Sequence, residues 1–152
     1  MIVIDKIELP VTGLEQLRLE ARNEGYTFLD TLAEDWESGA NRFDARGEIL
    51  CGYFDRGLLA AVGGLNCDPF EGCPDVGRIR RVFVRSEWRN RGIGRALVEH
   101  LIEEARRNFS SVRLRAENAD AARLYERMGF VAIDDPNATH VFCFSKLQGV
   151  AD

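Results

Sequence analysis

The sequence predicts a single α/β domain in which one mixed β-sheet is flanked by about four helices. Three observations indicate this fold class. Short segments rich in Val and Ile alternate or cluster their apolar residues, whereas longer segments repeat them at helical spacing. The two kinds of segment follow each other in the order β-α-α-β-β-β-α-β-α-β-β. One strand, helix and strand in direct succession also predict a parallel pair with a right-handed crossover.

The first half of the chain leads from an edge strand to a hairpin. The predicted elements are a strand over residues 2–9, helices over residues 14–25 and 28–38, and strands over residues 48–54 and 58–65. Pro10 ends the first strand, because proline has no backbone donor. Asp55, Arg56 and Gly57 separate the last two strands and indicate a tight antiparallel turn. Residues 66–75 contain two prolines and a glycine, which predicts a loop.

The second half contains the predicted parallel pair. The predicted elements are a strand over residues 78–84, a helix over residues 93–108, a strand over residues 111–116, a helix over residues 118–129, and strands over residues 130–133 and 139–147. Asn118 is a suitable N-cap, because its side chain can accept a hydrogen bond from the first turn. Gly129 is placed to end the same helix.

Length and composition favour an ordinary globular domain over residues 1–152. A chain of 152 residues can remove about 70% of its unfolded surface from water. The net charge of -5 argues against general affinity for nucleic acid. No secretory signal is visible, and no apolar run approaches the ~20 residues of a membrane span. We therefore expect a cytoplasmic protein that binds neither nucleic acid nor membrane, with a homodimer as the oligomeric form to test.

The four cysteines do not indicate a metal site. None is part of a Cys-x-x-Cys pair. Cys67 and Cys73 could join His140 and Cys143 around zinc, but structural zinc ligands usually come in pairs two to four residues apart. We expect reduced thiols and no metal, and the sequence assigns no role to Cys67 or Cys73.

A basic segment at residues 78–95 is the most unusual feature of the charge distribution. Seven arginines and one acid, Glu87, give it a formal charge of +6, so the remainder carries -11. The arginines are residues 78, 80, 81, 85, 89, 91 and 95. Guanidinium groups pair well with phosphate oxygens, which predicts a polyanionic ligand. For Arg80, Arg81 and Arg85, a solvated position on the strand or turn is an equal alternative.

The glycines at the start of the third helix predict a phosphate-binding turn. Free N–H groups and the helix dipole favour an anion at this position. Arg95 and Ala96 follow Gly94, which excludes the Gly-Lys-Ser/Thr of a P-loop. Leu97 stands where a dinucleotide fingerprint has its third glycine, although Glu117 is placed as its ribose-binding acid would be. The pattern Arg/Gln-x-x-Gly-x-Gly/Ala is matched fully, by Arg89, Gly92 and Gly94.

A second motif follows this turn. Asn118, Ala121, Leu124 and Tyr125 match Asn-x-x-Ala-x-x-Leu-Tyr, and Gly129 precedes Phe130. With both motifs in this order, the chain resembles the GCN5-related N-acetyltransferases, the GNAT family. The resemblance covers residues 76–130 by motif and the remainder by element order. It implies a splayed central sheet that holds acetyl-CoA as cosubstrate.

The resemblance also implies which residues contact the cofactor. Phe83 and Val84 would offer backbone hydrogen bonds to the pantetheine arm, and residues 89–95 would bind the pyrophosphate. Asn118 and Tyr125 would both face the cofactor from one side of their helix. The complete set of implied cofactor contacts is Phe83, Val84, Arg89, Asn90, Arg91, Gly92, Ile93, Gly94, Arg95, Asn118, Ala121 and Tyr125.

Acetyl transfer to an amine requires groups for three tasks. The Val84 N–H is the implied donor to the tetrahedral oxyanion. Tyr125 is the candidate general acid, because a phenol can protonate the departing thiolate. Many family members carry a glutamate base on the central strand, but Arg78 stands at that position here. The base is therefore unassigned. The candidates are Glu71, Asp75, Glu117 and His140, and the alternative is a chain of water molecules with no single base.

Charge also suggests an acceptor. Residues 1–77 contain fifteen acids and six bases, and they would line the acceptor side, which favours a cationic amine such as a polyamine or a peptide amine. We predict an N-acetyltransferase that works by direct transfer in a ternary complex. Two alternatives remain open: an acyl-CoA sensor of the same fold with little turnover, and a nucleotide-binding regulatory domain that would depend on Glu117.

Overall fold

The computed structural model describes residues 1–144, and its elements occur in the predicted order. They are β1 (Ile2–Lys6), α1 (Leu14–Asn23), α2 (Phe28–Ser38), β2 (Ile49–Asp55), β3 (Leu58–Cys67), β4 (Val76–Val84), a 3-10 helix (Ser86–Trp88), α3 (Ile93–Arg106), β5 (Ser111–Leu114), α4 (Ala119–Arg127), β6 (Val131–Ala132) and β7 (His140–Cys143). The predicted fold class is confirmed. Residues 145–147, the predicted end of the last strand, lie outside the described residues.

The seven strands form one sheet in the order β1-β2-β3-β4-β5-β7-β6. Adjacent strands are antiparallel except β4 and β5, which are parallel and joined through α3. This confirms the predicted hairpin between β2 and β3 and the predicted crossover. Strand β7 returns between β5 and β6, so the last hairpin closes the sheet on the far side of the parallel pair.

Apolar residues cover both faces of this sheet. Helices α1 and α2 pack on one face, where Leu17 and Leu29 are fully buried. Helix α3 packs on the opposite face through Leu97 and Leu101. It lies close to β3 at Gly63, where an added Cβ would come within 3.2 Å of both leucines. A side chain at that position would therefore push α3 away from the sheet.

A β-bulge changes the direction of β4 in the middle of the sheet. Arg80 pairs with Gly64 and Phe83 with Val62, so two residues of β4 stand opposite one residue of β3. Arg81, inside the bulge, has a positive φ of 61°. Before the bulge Ile79 faces α3, and after it Phe83 joins the core under α1 and α2. Arg80 therefore faces the α2 side.

The parallel pair separates soon after it begins. Strands β4 and β5 pair only from Val76, opposite Ser111, to Arg78, opposite Arg113. Strand β4 then continues alone to Val84. The edge of β4 beyond Arg78 therefore faces open space, which is the splayed sheet that the resemblance implies. Within residues 1–144, no helix combines the length and apolar character that crossing a membrane requires.

Replacement of Leu101 with alanine should destabilise the domain by about 2–5 kcal/mol, because it leaves a cavity between α3 and β3. The matched control is Leu19→Ala on α1, where the leucine is 54% exposed and the cost should stay within about 0.5 kcal/mol. Chemical denaturation of both variants measures the difference. Similar losses in the two variants would show that α3 does not pack on the sheet in this way.

Candidate active site

Two connected cavities lie in the gap between β4 and β5. The larger has a volume of about 890 Å³ and is lined by the end of β4, the start of α3 and one side of α4. The smaller, of about 170 Å³, extends towards Arg78. Phe28, Val82, Glu117 and Tyr125 line both cavities, so these residues form the junction. The larger volume is within the usual range of small-molecule sites.

The predicted phosphate-binding turn borders the larger cavity. Of residues 89–95, all except Arg91 line it. Asn90 and Gly92 have positive φ values of 63° and 77°, and Gly92 caps α3 without a side chain. The backbone N–H groups of residues 90–92 donate to no partner within residues 1–144. Together with the free N–H groups of the first helical turn, they are available to an anion.

Most arginines of the basic segment are paired with acids of the same chain. The pairs are Arg78 with Asp68, Arg81 with Asp35, Arg85 with Glu20, Arg89 with Glu24, and Arg95 with Glu99. Five of the seven arginines thus already have an acidic partner within the chain, and the polyanionic ligand of this segment stays a prediction. Four of the five acids come from residues 1–77, whose negative charge is thus partly neutralised within the fold.

The end of β4 presents Val84 to the larger cavity. Arg85 N donates to Ala60 O at 2.9 Å, so the next pair, Ala61 with Val84, is a non-hydrogen-bonded pair of the antiparallel ladder. The N–H and C=O of Val84 therefore point away from β3, into the gap. Its carbonyl oxygen accepts from Arg89 Nε at 2.9 Å, whereas its N–H has no partner within residues 1–144.

Phe83 differs from the expectation. In the same alternation it forms a hydrogen-bonded pair with Val62, so its backbone groups face β3 and not the cavity. Phe83 lines the cavity as a side chain, and the Arg89 guanidinium lies 5.2 Å from its ring centre.

Helix α4 brings Asn118, Ala121 and Tyr125 to the larger cavity, as predicted. Asn118 caps the helix, because its Oδ1 accepts from Ala121 N at 2.9 Å. Tyr125 is buried, with its ring 5.7 Å from that of Phe130. Its hydroxyl makes no hydrogen bond within residues 1–144, so it is available to a ligand. Burial, and secondly the charge of Glu117, raise the pKa of Tyr125 to about 12.

Of the four candidate bases, the structure brings only Glu117 to the cavities. Glu71 pairs with Arg113 at 2.5 Å. Asp75 precedes β4 and its carbonyl accepts from Ser110. His140 is buried, with Nε2 2.8 Å from Glu126 and Nδ1 2.8 Å from Thr139 Oγ1. None of these three lines either cavity.

The cysteines do not approach a common centre with His140. Cys67 Sγ contacts the carbonyl oxygen of Cys73, whereas His140 is engaged by Glu126 and Thr139. In the part of the chain that the structure describes, no group of three or more His, Cys, Asp or Glu side chains could hold a metal ion.

The connection between α1 and α2 contributes lining residues that the sequence did not reveal. Glu24, Tyr26 and Phe28 line the larger cavity, and Trp88 joins them from the 3-10 helix. Trp88 Nε1 donates to Asp55 at 3.1 Å, which attaches the turn before α3 to the end of β2. Nothing in the local pattern of these residues marks a binding site, because they reach it only when α1 and α2 pack on the sheet.

The Tyr125 phenol should titrate later than an exposed tyrosine. The difference in phenolate absorbance between the wild-type protein and Tyr125→Phe isolates its titration. Replacing Glu117 with glutamine should lower the Tyr125 pKa, because it removes a negative charge that opposes phenolate formation. The wild-type protein should also lose stability as pH rises from about 10 to 12, since its folded state retains the phenol proton longer. An unchanged Tyr125 pKa in Glu117→Gln would show that the charge of Glu117 does not act on the Tyr125 phenol.

Comparisons with known proteins agree with this geometry. The model of the Acetyltransferase (GNAT) family matches residues 13–130. A crystal structure from Exiguobacterium sp. 255-15, provisionally assigned as an acetyltransferase, is 25% identical with a TM-score of 0.84 and covers 94% of this chain and 93% of its own. The NatC complex bound to Gag peptide and CoA is 18% identical with a TM-score of 0.68, covering 95% of this chain and 99% of that one, and shows a shared fold.

A curated relative matches over a shorter range. The alanine N-acetyltransferase of ribosomal protein bS18 from Escherichia coli strain K12 is 37% identical over 59 residues. These residues are 37% of this chain, and the match spans only 40% of the length of the curated relative. The family model matches a much longer range, which includes both sequence motifs and the residues that line the two cavities. The chain belongs to the GNAT family of acetyltransferases.

Proposed function

We propose that this protein transfers an acetyl group from acetyl-CoA to a primary amine, directly and within a ternary complex. One observation carries the proposal: a single cavity of about 890 Å³ brings together the open N–H groups at the start of α3, the free N–H of Val84 and the Tyr125 hydroxyl. Family membership supports acetyl-CoA as the cosubstrate. The CoA of the NatC structure and the alanine acceptor of the bS18 enzyme belong to relatives and support the same reaction class.

In this proposal the pyrophosphate of acetyl-CoA binds at residues 90–95. The N–H groups of this turn supply hydrogen bonds, and the positive end of the α3 dipole favours the negative charge. Arg91 is exposed and forms no ion pair within residues 1–144, so it can meet the phosphates directly. The pantetheine arm then lies along the open edge of β4, where Val84 has its unpaired N–H.

The chemistry needs a neutral amine, an oxyanion donor and a proton for the thiolate. The amine nitrogen attacks the thioester carbonyl carbon, and the Val84 N–H stabilises the oxyanion that forms. Collapse of this intermediate forms the amide and breaks the carbon–sulfur bond. Tyr125 donates its proton to the departing thiolate. The phenol carries this proton at neutral pH, because its pKa is raised. Glu117 accepts, through a water molecule, the proton that the ammonium form of the amine releases before attack. The second proton of the nitrogen returns to the Tyr125 phenolate as the amide forms.

The cationic acceptor predicted from charge is not part of this proposal. Of the fifteen acids on which that prediction rested, three are paired with arginines of the basic segment, namely Glu20, Glu24 and Asp35, and the cationic acceptor stays a prediction. A single catalytic domain over residues 1–152, a cytoplasmic location and a homodimer stay predictions.

One observation favours a second function, an acyl-CoA sensor with little turnover. Arg78 stands where many family members carry the strand glutamate, and Glu117 is the one carboxylate that lines the smaller cavity among the described residues. The nucleotide-binding alternative has no such support, because Leu97 is fully buried against the sheet where the third glycine would be needed.

Acetyl-CoA should stabilise the protein, because it binds only the folded state. At about 100 times its dissociation constant, the gain is about 2.7 kcal/mol, which raises the melting temperature by several degrees. Thermal unfolding with acetyl-CoA, and with NAD as the control, measures it. Stabilisation by NAD alone would contradict the proposed cosubstrate.

Substituting Tyr125 with phenylalanine should greatly reduce turnover and leave the affinity for acetyl-CoA nearly unchanged. The substitution removes only the hydroxyl that protonates the thiolate. Release of free CoA thiol across a panel of amines measures turnover, and calorimetry measures binding. The matched control is Tyr53→Phe, which changes a buried tyrosine that lines neither cavity.

Full activity in Tyr125→Phe would show that Tyr125 is not the general acid. Acetyl-CoA binding without thiol release for any amine would favour the sensor.

A further inference from the structure

The smaller cavity has a strongly basic lining. Four arginines line it, together with a single carboxylate, Glu117. The arginines are Arg78, Arg80, Arg81 and Arg115. A volume of about 170 Å³ is room for several water molecules, so the cavity can hold a compact group of a few heavy atoms. Since Tyr125 also lines this cavity, such a group would lie beside the reacting centre.

Strand register explains why these arginines converge. Arg78 of β4 stands directly beside Arg113 of β5 in the parallel pair. Ile79 and Leu114, the next residues of the two strands, belong to the core under α3. Arg80 alternates with Ile79 and therefore points to the other face, into the gap below α2. Arg115 follows the end of β5; it is exposed, and its Nη2 donates to the carbonyl oxygen of Pro136. The splay of the two strands thus brings buried Arg78 and half-buried Arg80 and Arg81 to one cavity together with the exposed Arg115.

Arg80 is the member of this cluster without a partner. Its side chain makes no hydrogen bond or ion pair within residues 1–144, and its Nε is fully buried. Burial, and secondly the charge of Arg81, lower the Arg80 pKa, but a guanidinium group stays charged in proteins. Arg80 as a whole is half-buried. A partly desolvated charge without a partner is costly, so the site favours an anion from outside the chain.

The acids nearest to Arg80 are already engaged. Asp35 pairs with Arg81 at 3.9 Å, and Asp68 lies 3.6 Å from Arg78 and 3.8 Å from Arg113. Glu48 accepts from the backbone N–H groups of Cys67 and Ala45, at 2.9 and 3.1 Å. None of these carboxylates is paired with Arg80, although each contributes to its electrostatic environment.

We propose that Arg80, assisted by Arg78 and Arg115, binds an anionic oxygen group of the acceptor, a carboxylate or a phosphate, a few bonds from the amino nitrogen. This inference rests on the proposed function and names its substrate class. A guanidinium group binds either anion through paired N–H donors. The short spacing follows from the size of the cavity and from its junction with the larger one at Tyr125 and Glu117.

The same arginines assist deprotonation of the amine. Nearby positive charges disfavour the ammonium form and lower its pKa, so more of the bound acceptor is neutral. The ammonium proton passes through water to Glu117, and the neutral nitrogen forms the new bond to the acetyl carbon. As the carbon–sulfur bond breaks, the thiolate receives the Tyr125 proton, and the second proton of the nitrogen returns to the Tyr125 phenolate as the amide forms. A glutamate on the central strand is then not required, which accounts for the arginine at position 78.

The test compares acceptors that differ only in the anion. Glycine and glycinamide form the carboxylate pair, phosphoethanolamine and ethanolamine form the phosphate pair, and putrescine is the cationic acceptor. Thiol release from acetyl-CoA gives kcat/KM for each. We expect one charged member to exceed its uncharged partner by at least about 10-fold, and the pair that shows this identifies the anion. Equal values within both pairs, or fastest transfer to putrescine, would overturn the inference.

Variants of Arg80 separate binding of the anion from a structural role. Arg80→Gln should lower kcat/KM for the anionic acceptor about 10- to 100-fold, mainly by raising KM, and should leave the uncharged acceptor and the affinity for acetyl-CoA unchanged. Arg80→Lys should restore part of the loss. Arg107→Gln, at an exposed arginine beyond the end of α3, is the matched control. Equal losses for charged and uncharged acceptors in Arg80→Gln would overturn the inference.

A binding measurement keeps this test independent of turnover. With CoA present, N-acetylglycine should bind more tightly than N-acetylglycinamide, and Arg80→Gln should abolish the difference. If no amine supports thiol release, the proposed function fails, but this binding preference would still uphold the anion site. Equal binding of the two compounds in a protein that does turn over glycine would overturn the anion site and leave the transferase intact.

Discussion

The separation of β4 from β5 is the constraint on which the rest of the structure depends. Three residue pairs hold the two strands together, and beyond Arg78 and Arg113 no pair joins them. The bulge at Arg81 lies just past this point and redirects β4. Both cavities occupy the resulting gap, and the unpaired N–H of Val84 exists because β4 has a neighbour on one side only.

Electrostatic pairing divides the basic segment into two parts with different roles. Arg85 and Arg89 attach the turn before α3 to α1 and to the residue that follows it, through Glu20 and Glu24. These pairs position the predicted phosphate-binding turn relative to the helices. Arg80, by contrast, lies inside the gap and has no partner among residues 1–144. The arginines of the basic segment look alike in the sequence, but some of them hold parts of the fold together and one is available to a ligand.

The two cavities also differ in chemical character. The larger is lined by the end of β4, the N-terminus of α3 and one side of α4, which suits an extended cofactor with a diphosphate. The smaller is built from guanidinium groups on a rigid sheet, which suits a compact anion. Tyr125 and Glu117 at their junction are the groups that both ligands would meet. This division is consistent with a ternary complex in which neither ligand has to leave before the other binds.

The local sequence was a reliable guide wherever a feature depends on neighbouring residues. Helix and strand periodicity, the Asn118 cap and the glycines before α3 are of this kind, and α2 begins and ends at the predicted residues. Strand bounds were less predictable. β1 ends at Lys6, and β5 ends at Leu114, because the ends of strands depend on the partner strand and not on the residues themselves.

The sequence by itself therefore determined the fold and the position of the glycine turn before α3, and it predicted Tyr125 as the general acid, since each follows from spacing along one segment. Only the tertiary structure decided which charges are neutralised, which backbone groups of β4 are free, and which carboxylate reaches the cavities. Glu117 and Glu71 look alike in sequence, as do Arg80 and Arg81. They differ because burial and pairing depend on segments that are distant in the chain and become neighbours only when the sheet forms.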